Sequence, residues 1–286
     1  MTAATEISAT ALDLLADRPL VVLTGAGVST DSGIPDYRGP GSVNRAPMTY
    51  QEFVAGPEAR QRYWARSHLG WGRMRQAEPN AGHHALARTP GVGLLITQNV
   101  DGLHERAGTP RLVALHGRIA DVVCLDCRAQ TSRAALHALL DELNPDFATT
   151  YAEVASRPDG DVDLDETAGF VVPACRDCEG VLKPDVVFFG ENVPAPRVQR
   201  CYDAVDALAG QRGVLLVAGS SLTVMSGLRF VKRAAKAGVP VVIVNRGATR
   251  GDELAAYTVD AGTSEFLTDL ADRREARGHK PAGAGL

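Results

Sequence analysis

Four of the five cysteines in this 286-residue chain fall into two C-x-x-C pairs, Cys124 with Cys127 and Cys175 with Cys178. Each pair can present two thiolates from one tight turn, and four thiolates suit a tetrahedral Zn²⁺. With every position filled by protein, such an ion has no site left for a substrate, so its expected role is to hold a small module together. The intervening stretch, 128–174, exceeds the common ribbon spacing and has room for a helix and a loop. Disulfides are one competing reading and a redox pair is another. A reducing compartment disfavours the first, and the duplication disfavours the second. Cys201, in a helix-like stretch, reads as a core or surface thiol.

A second set of chemistry-bearing residues follows an apolar run at 19–24, which empties into Gly25-Ala26-Gly27 and, further on, Ile34-Pro35-Asp36-Tyr37-Arg38. Glycines at a strand's end let backbone N–H groups approach a phosphate, and a following helix N-terminus adds positive charge, so this segment reads as a nucleotide diphosphate cradle. It is not the dehydrogenase fingerprint: Thr30 stands where G-x-G-x-x-G needs its third glycine, and no acidic residue closes a second strand about 20 residues on. A structural turn alone has no need of Asp36, Tyr37 and Arg38.

Three more apolar runs end in polar residues. The run 93–97 leads to Gln98-Asn99-Val100-Asp101-Gly102-Leu103-His104, 214–218 to Gly219-Ser220-Ser221, and 241–244 to Asn245-Arg246-Gly247. Ligands of open α/β sheets bind beyond the carboxyl ends of the strands, so these groups are expected to share one crevice. Asn and Asp are also ordinary loop formers, but four polar groups at one strand end exceed what a turn requires. His116 follows a short run at 112–115, and an imidazole that titrates near neutrality suits general-base work. His83, His84 and His104 are assigned structural roles.

The elements that must position these residues are legible from the hydrophobic pattern. Apolar runs at 19–23, 93–97, 186–189, 214–218 and 239–244 lack alternation, as strands buried on both faces do. Helical stretches at 197–209 and 226–237 alternate with them, giving an α/β fold with a doubly wound parallel sheet. Two segments interrupt it: 40–82, with its best helix at 58–71, and 122–180, which holds the paired cysteines, a helix at 132–143 and an acidic loop at 159–166. Hydrophobic residues make up 45% of the chain, enough for a sizeable core, and a net charge of −4 argues against a nucleic-acid partner. No apolar run is long enough to span a membrane, and residues 1–17 lack a signal-like core, so a cytoplasmic address is the expectation.

Taken together, GAGVSTDSGIPDYR at 25–38, TQNVDGLH at 97–104, HG at 116–117, both cysteine pairs, KPDVVFFGE at 183–191, GSSL at 219–222 and NRG at 245–247 closely resemble the sirtuin family of NAD-dependent protein deacylases. The long insert between the cysteine pairs, Ser226-Gly227 where proline is common after GSSL, and 245–255 look most like its class II. The resemblance implies a Rossmann-like NAD-binding domain from 1–39, 83–121 and 181–286, and a smaller helical and zinc-binding module from 40–82 and 122–180. It places Gly25, Ala26, Gly27, Arg38, Gly219, Ser220 and Ser221 at the NAD phosphates and ribose. Ile34, Asp36, Asn99 and Asp101 would lie at nicotinamide, with Gln98 near its ribose and Tyr37 in place of the commoner phenylalanine. Asn245, Arg246, Gly247 and Ala261 would lie at adenosine. Phe188, Gly190 and Glu191 belong to a stretch that pairs with an acyl-lysine peptide as an added strand.

In the mechanism this implies, the acyl oxygen attacks the ribose carbon as nicotinamide leaves, and His116 takes a ribose hydroxyl proton. Free lysine and O-acyl-ADP-ribose are the products. Asn99 and Asp101 share the catalytic assignment, zinc takes no part, and acylated-lysine proteins are the expected substrates, with larger acyl groups an open preference. Tyr63 and Arg66 resemble a pair that reads acidic acyl groups, although a structural role is favoured. Mono-ADP-ribosyl transfer from the same pocket is the alternative activity. An NAD-sensing or zinc-ribbon binding protein would not need His116, Asn99 and Asp101 together. Hydride transfer ranks last. The oligomeric state stays open.

Overall fold

Strands in which every residue is apolar must be covered on both faces, and that requirement dictates the larger layer of this protein. The structure, a computed structural model, describes residues 3–36, 47–151, 164 and 166–278; Tyr37, Arg38 and most of the acidic loop lie outside the described residues. Numbered in chain order, the described strands are β1 (Leu20–Thr24), β2 (Val92–Thr97), β3 (Leu112–Ala114), β4 (Gly117–Cys124), β5 (Gln130–Ser132), β6 (Leu182–Val186), β7 (Val214–Ala218), β8 (Val241–Val244) and β9 (Tyr257–Val259). Six of them form a parallel sheet in the order β3-β2-β1-β7-β8-β9, and β5-β4-β6 form a small antiparallel sheet.

Period-two alternation sorts the large sheet's side chains between two cores. Leu20 and Val22 of β1 with Val214 and Leu216 of β7 face one helix layer, while Val21 and Leu23 with Leu215 and Val217 face the other. The first layer is α1 (Ala3–Ala16), α4 (Ala81–Arg88) and α10 (Thr263–Gly278). The second is α8 (Ala195–Gly210) and α9 (Met225–Lys236). Leu23 is fully buried, and shortening it to alanine is expected to cost about 2–5 kcal/mol. Cys201 is also fully buried, in the second core, where desolvation pushes its thiol up to about 12. Arg274 ties α10 down by donating to the carbonyls of Pro90, Leu15 and Arg18.

Sheet register fixes where the chemistry gathers. Thr24 pairs with both Thr97 and Ala218, Thr97 with Ala114, and Ala218 with Val244. The carboxyl ends of β1, β2, β3, β7 and β8 are therefore level. The chain leaves β1 toward β2 on one side and enters β7 on the other, so the topological switch lies between β1 and β7.

The smaller layer uses α2 (Tyr50–Val54), α3 (Pro57–Met74), α5 (Leu103–Arg106), α6 (Arg133–Leu143) and α7 (Phe147–Thr150). Two faces of α3 matter. Trp64 packs with Val122, Leu136, Leu140 and Phe170, while Trp71 and Met74 pack with Ile34, Leu103 and Ile119 beside the β1 loop. The buried Arg133 guanidinium lies over both indoles, 5.1 and 5.5 Å from their centroids. Next to it, the Asp141 carboxylate lies 3.1 Å from His68 Nε2 and 3.7 Å from His137 Nε2, joining α3 to α6.

Two elements differ from the sequence expectation. The run 186–189 is not a strand of the parallel sheet: the strand is β6, and it pairs antiparallel with β4. Among the described residues after Gly25, up to Asp36, there is no full helix but two short 3-10 turns, Ala26–Val28 and Thr30–Ser32, which lack the summed dipole of a long helix.

His83 and His104 are structural, as expected. His83 accepts from the Asn80 N–H in a capping box at the start of α4, and its ring lies 4.7 Å from that of His104, whose Nε2 is 3.0 Å from Thr24 Oγ1. Burial holds both imidazoles neutral, with His83 lowered to about 4. A depressed folded value means that the stability is complete above the unfolded value of 6.5 and is lost as pH falls toward about 4. Melting temperature should therefore drop across that window. His83→Gln, which keeps a capping-box acceptor, should flatten the drop when melting is followed by circular dichroism.

Candidate active site

The loops after β1 and β7 cross backbone against backbone. Gly25 N–H donates to Ala218 O at 3.1 Å and Gly27 N–H to Gly219 O at 2.9 Å. A Cβ on Gly27 would sit 2.9 Å from Gly219 Cα, and one on Gly219, where φ is +62°, would sit 2.5 Å from Val28 N. Close approach is thus the reason for these glycines. Their own amides are engaged with protein carbonyls, Gly219 N–H donating to Val244 O at 2.9 Å. Ala26 opens the first 3-10 turn between them.

Sequence reasoning missed the hub of the site, Ser29. Its buried hydroxyl donates to Asp101 Oδ2 at 2.7 Å and accepts from Asn99 Nδ2 at 3.0 Å. Asn99 Nδ2 also reaches Gly25 O at 3.1 Å, and Asp101 Oδ1 accepts from Leu103 N–H at 2.9 Å. One small hydroxyl thus links the β1 loop to the two polar residues after β2. Its only signal in the sequence was its place inside the glycine-rich segment. Burial raises the Asp101 carboxyl above its ordinary value, against the lowering effect of these donors.

His116 follows β3 at the same level. Its Nδ1 is 2.8 Å from Gln98 O and its Nε2 is 2.7 Å from Ser226 Oγ. Burial keeps it below the ordinary imidazole value, and Arg197 and Arg229 act in the same direction. Gln98 spans the crevice, since its Oε1 accepts from Ser220 Oγ at 2.6 Å. Ser221 Oγ lies 3.1 Å from Thr223 Oγ1. Ile34 is buried beside Val100, in the cluster that contains Trp71, and Asp36 is half-buried where the described segment ends.

At the β8 end, Asn245 Nδ2 bonds Arg246 O and Gly247 O, which closes its own loop, and Gly247 N–H donates to Asp260. Arg246 stretches past Gly262, next to Ala261. In the 188–191 stretch the side chains of Phe188 and Glu191 turn inward. Phe188 meets Phe53 edge-on and Tyr63 at a tilt, and Glu191 pairs with buried Lys183 at 3.0 Å and accepts from Phe188 N–H. Gly190 makes the turn at φ +79°, while Phe189 stays exposed. Tyr63 lies in that aromatic cluster, and Arg66 Nε donates to Leu164 O at 2.7 Å.

The four paired cysteines converge, with Sγ separations of 3.5 Å for Cys124–Cys178 and 3.7 Å for Cys127–Cys175. The sulfurs of a Zn–S₄ tetrahedron lie roughly 3.8 Å apart, so the spacing fits the ion and is far too long for disulfides. The two turns match: Arg128 and Glu179 both take positive φ, and each donates its amide to the first cysteine's carbonyl. Because β4 separates His116 from Cys124, the cluster lies about 25 Å along the strand from the imidazole.

The Sir2 family model matches residues 25–226. The chain is 56% identical over 268 residues to an NAD-dependent protein deacetylase 1 of Streptomyces coelicolor, covering 91% of this chain and 88% of that protein. It is 52% identical over 265 residues to the protein of the same name from Mycobacterium avium, covering 91% and 93%. A solved structure described as Sir2 with a p53 peptide and NAD+ superposes with a TM-score of 0.69 at 32% identity, covering 93% of this chain and 96% of that one. The chain belongs to the Sir2 family, the sirtuins.

The raised Asp101 value has a testable consequence for stability. A folded value above the unfolded one means that ionising Asp101 costs stability, a cost absent at low pH that grows as pH rises through the folded value. Asp101→Asn should melt higher than the parent at pH 8, and the difference should vanish near pH 4, as read by differential scanning calorimetry.

Proposed function

We propose that this chain is an NAD-dependent protein-lysine deacylase of the deacetylase type, acting on acylated-lysine proteins. The observation that carries the reading is the convergence of Asn99, Ser29, Asp101 and His116 at level strand ends around the switch between β1 and β7. Relatives at 56% and 52% identity that are named deacetylases support it.

NAD fits the residues present: a crevice at a topological switch, a small-residue crossing, and ribose-type partners in Gln98, Ser220 and Ser221. When bound, NAD supplies a ribose carbon that accepts the acyl group as nicotinamide leaves. Gly25, Ala26, Gly27, Gly219, Ser220 and Ser221 would line its phosphates and ribose, with Arg38 adding a positive charge. Ser29 fixes Asn99 and Asp101 relative to each other, and both would face the nicotinamide end beside Ile34 and Asp36, where the family resemblance also assigns Tyr37. The Asp101 carboxylate offers a fixed negative charge to a cationic ring. Asn245, Arg246, Gly247 and Ala261 would border adenosine. His116 Nε2 carries a lone pair at a part-buried position and is the general base for a ribose hydroxyl.

Peptide pairing along 188–191 would go through the backbone near exposed Phe189, since the side chains of Phe188 and Glu191 are used internally. Tyr63 and Arg66 serve the fold of the small module. Zinc, held by Cys124, Cys127, Cys175 and Cys178, would anchor the far end of β4 and take no part in proton transfer. Acceptance of acyl groups larger than acetyl is part of the proposal. It rests on the class II resemblance.

Incubation with NAD and acetyl-, succinyl- and long-chain acyl-lysine peptides should give nicotinamide, free lysine and O-acyl-ADP-ribose by mass spectrometry. Nicotinamide release with ADP-ribose left on protein would replace deacylation by ADP-ribosyl transfer. His116→Ala should lower turnover by at least roughly a hundredfold with the melting temperature nearly unchanged. Cys124→Ser should lose the equivalent of zinc found by elemental analysis and unfold the small module first, visible as increased proteolysis across β4 and β6.

A further inference from the structure

His116 is held from two directions, and the second hold has no counterpart in the roles assigned above. A carbonyl oxygen only accepts, so the 2.8 Å contact with Gln98 O places the proton on Nδ1 and leaves a lone pair on Nε2. Ser226 Oγ, 2.7 Å from Nε2, is then the donor. Ser226 is 8% exposed and lies in the first turn of α9. Its hydroxyl reaches across to β3's end rather than back-bonding along its own helix.

The next residue belongs to the same arrangement. A Cβ at Gly227 would meet Gln98 Nε2 at 2.7 Å, so glycine there makes room for the side chain whose backbone carbonyl orients the ring. Ser226 and Gly227, noted in the sequence only as a departure from proline, close together on Gln98 and His116.

We infer that Ser226 is a positioning residue for His116: its hydroxyl holds the imidazole in the Nδ1–H tautomer, with Nε2 facing the crevice, until a substrate hydroxyl takes its place. The inference rests on the reading of His116 as the general base. A ribose hydroxyl is the same kind of donor as a serine hydroxyl, so the exchange swaps like for like and leaves the tautomer unchanged. A neutral donor to Nε2 also favours the uncharged ring. The charged groups facing the ring act the same way: Arg229 from α9, and Arg197 from α8, whose own charge is partly offset by Asp185 at 3.3 Å.

The test uses full-length, zinc-loaded protein and reads His116 directly. Long-range ¹H–¹⁵N spectra, assigned with His116→Ala, give its tautomer and titration midpoint in the parent and in Ser226→Ala. The pH profile of kcat/KM is measured in parallel with NAD and an acetyl-lysine peptide. Loss of one neutral hydrogen bond should raise the midpoint by roughly half a unit to one unit. The acid limb of kcat/KM should move with it, so that activity at pH 6 falls several-fold while activity above pH 8 and KM for NAD stay near the parent's. Ser226→Thr, which keeps the hydroxyl, should restore the parent midpoint.

An unchanged midpoint in Ser226→Ala would overturn the inference. The two readings fail separately. If His116→Ala is inactive and Ser226→Ala leaves the midpoint in place, the base stands and the positioning role falls. If His116→Ala remains active, the base reading falls, and the positioning role for a base falls with it.

Discussion

The crossing of the β1 and β7 loops is the constraint on which the rest of the site depends. Gly25, Gly27 and Gly219 meet backbone to backbone, with two amides committed to Ala218 O and Gly219 O. Parallel pairing levels the strand ends, and the crossing then fixes how the loops leave them. Ser29, Gln98 and Ser220 inherit their positions from that geometry. A side chain at any of the three glycines would push the loops apart by contact with backbone, which cannot yield as the end of a flexible side chain does. The resulting misplacement would reach Asn99 and Asp101 through Ser29, without any change in either residue.

Much of this was legible in the residues. Strands that are apolar almost throughout could only be buried on both faces, so β1, β7 and β8 and the helices between them were readable from apolar runs. The cysteine pairs announced their own convergence because two knuckles of equal spacing have few other uses. Other features were not readable, for physical reasons. The alternation of β4 between exposed and buried positions is weak, and a register shift interrupts its pairing with β6, so the antiparallel sheet left little periodic trace. The 186–189 run is apolar for a different reason: Phe188 fills an aromatic cluster with Phe53 and Tyr63, which a strand pattern imitates.

Within the site, sequence picked out residues with obvious chemistry and passed over the small hydroxyls that join them. Asn99, Asp101 and His116 stand out by type. Ser29 and Ser226 do not, because serine is common in loops and at helix starts, and its partners here lie 70 to 110 positions away. Only tertiary pairing reveals that each hydroxyl bonds a group to which the proposed reaction gives a chemical task. The glycines pack loop against loop, a role the sequence did not announce, because a phosphate-binding loop and a backbone crossing look alike in one dimension.

Burial acts on the two titratable groups in opposite senses and toward one end. It raises Asp101 and lowers His116, so each is pressed toward its neutral form. For His116 that is the form a general base must have. For Asp101 it is a cost, partly offset by the Ser29 hydroxyl and the Leu103 amide. A cationic ring entering beside Asp101 would offset the remainder by placing an opposite charge where water is scarce, and the attraction would weaken once that ring left as a neutral molecule. In the proposed reaction, the same partial burial that disfavours a lone carboxylate would favour a positively charged group over its uncharged product. That preference depends on Ser29 keeping the carboxylate aimed, because a carboxyl free to rotate would turn toward solvent and be screened there.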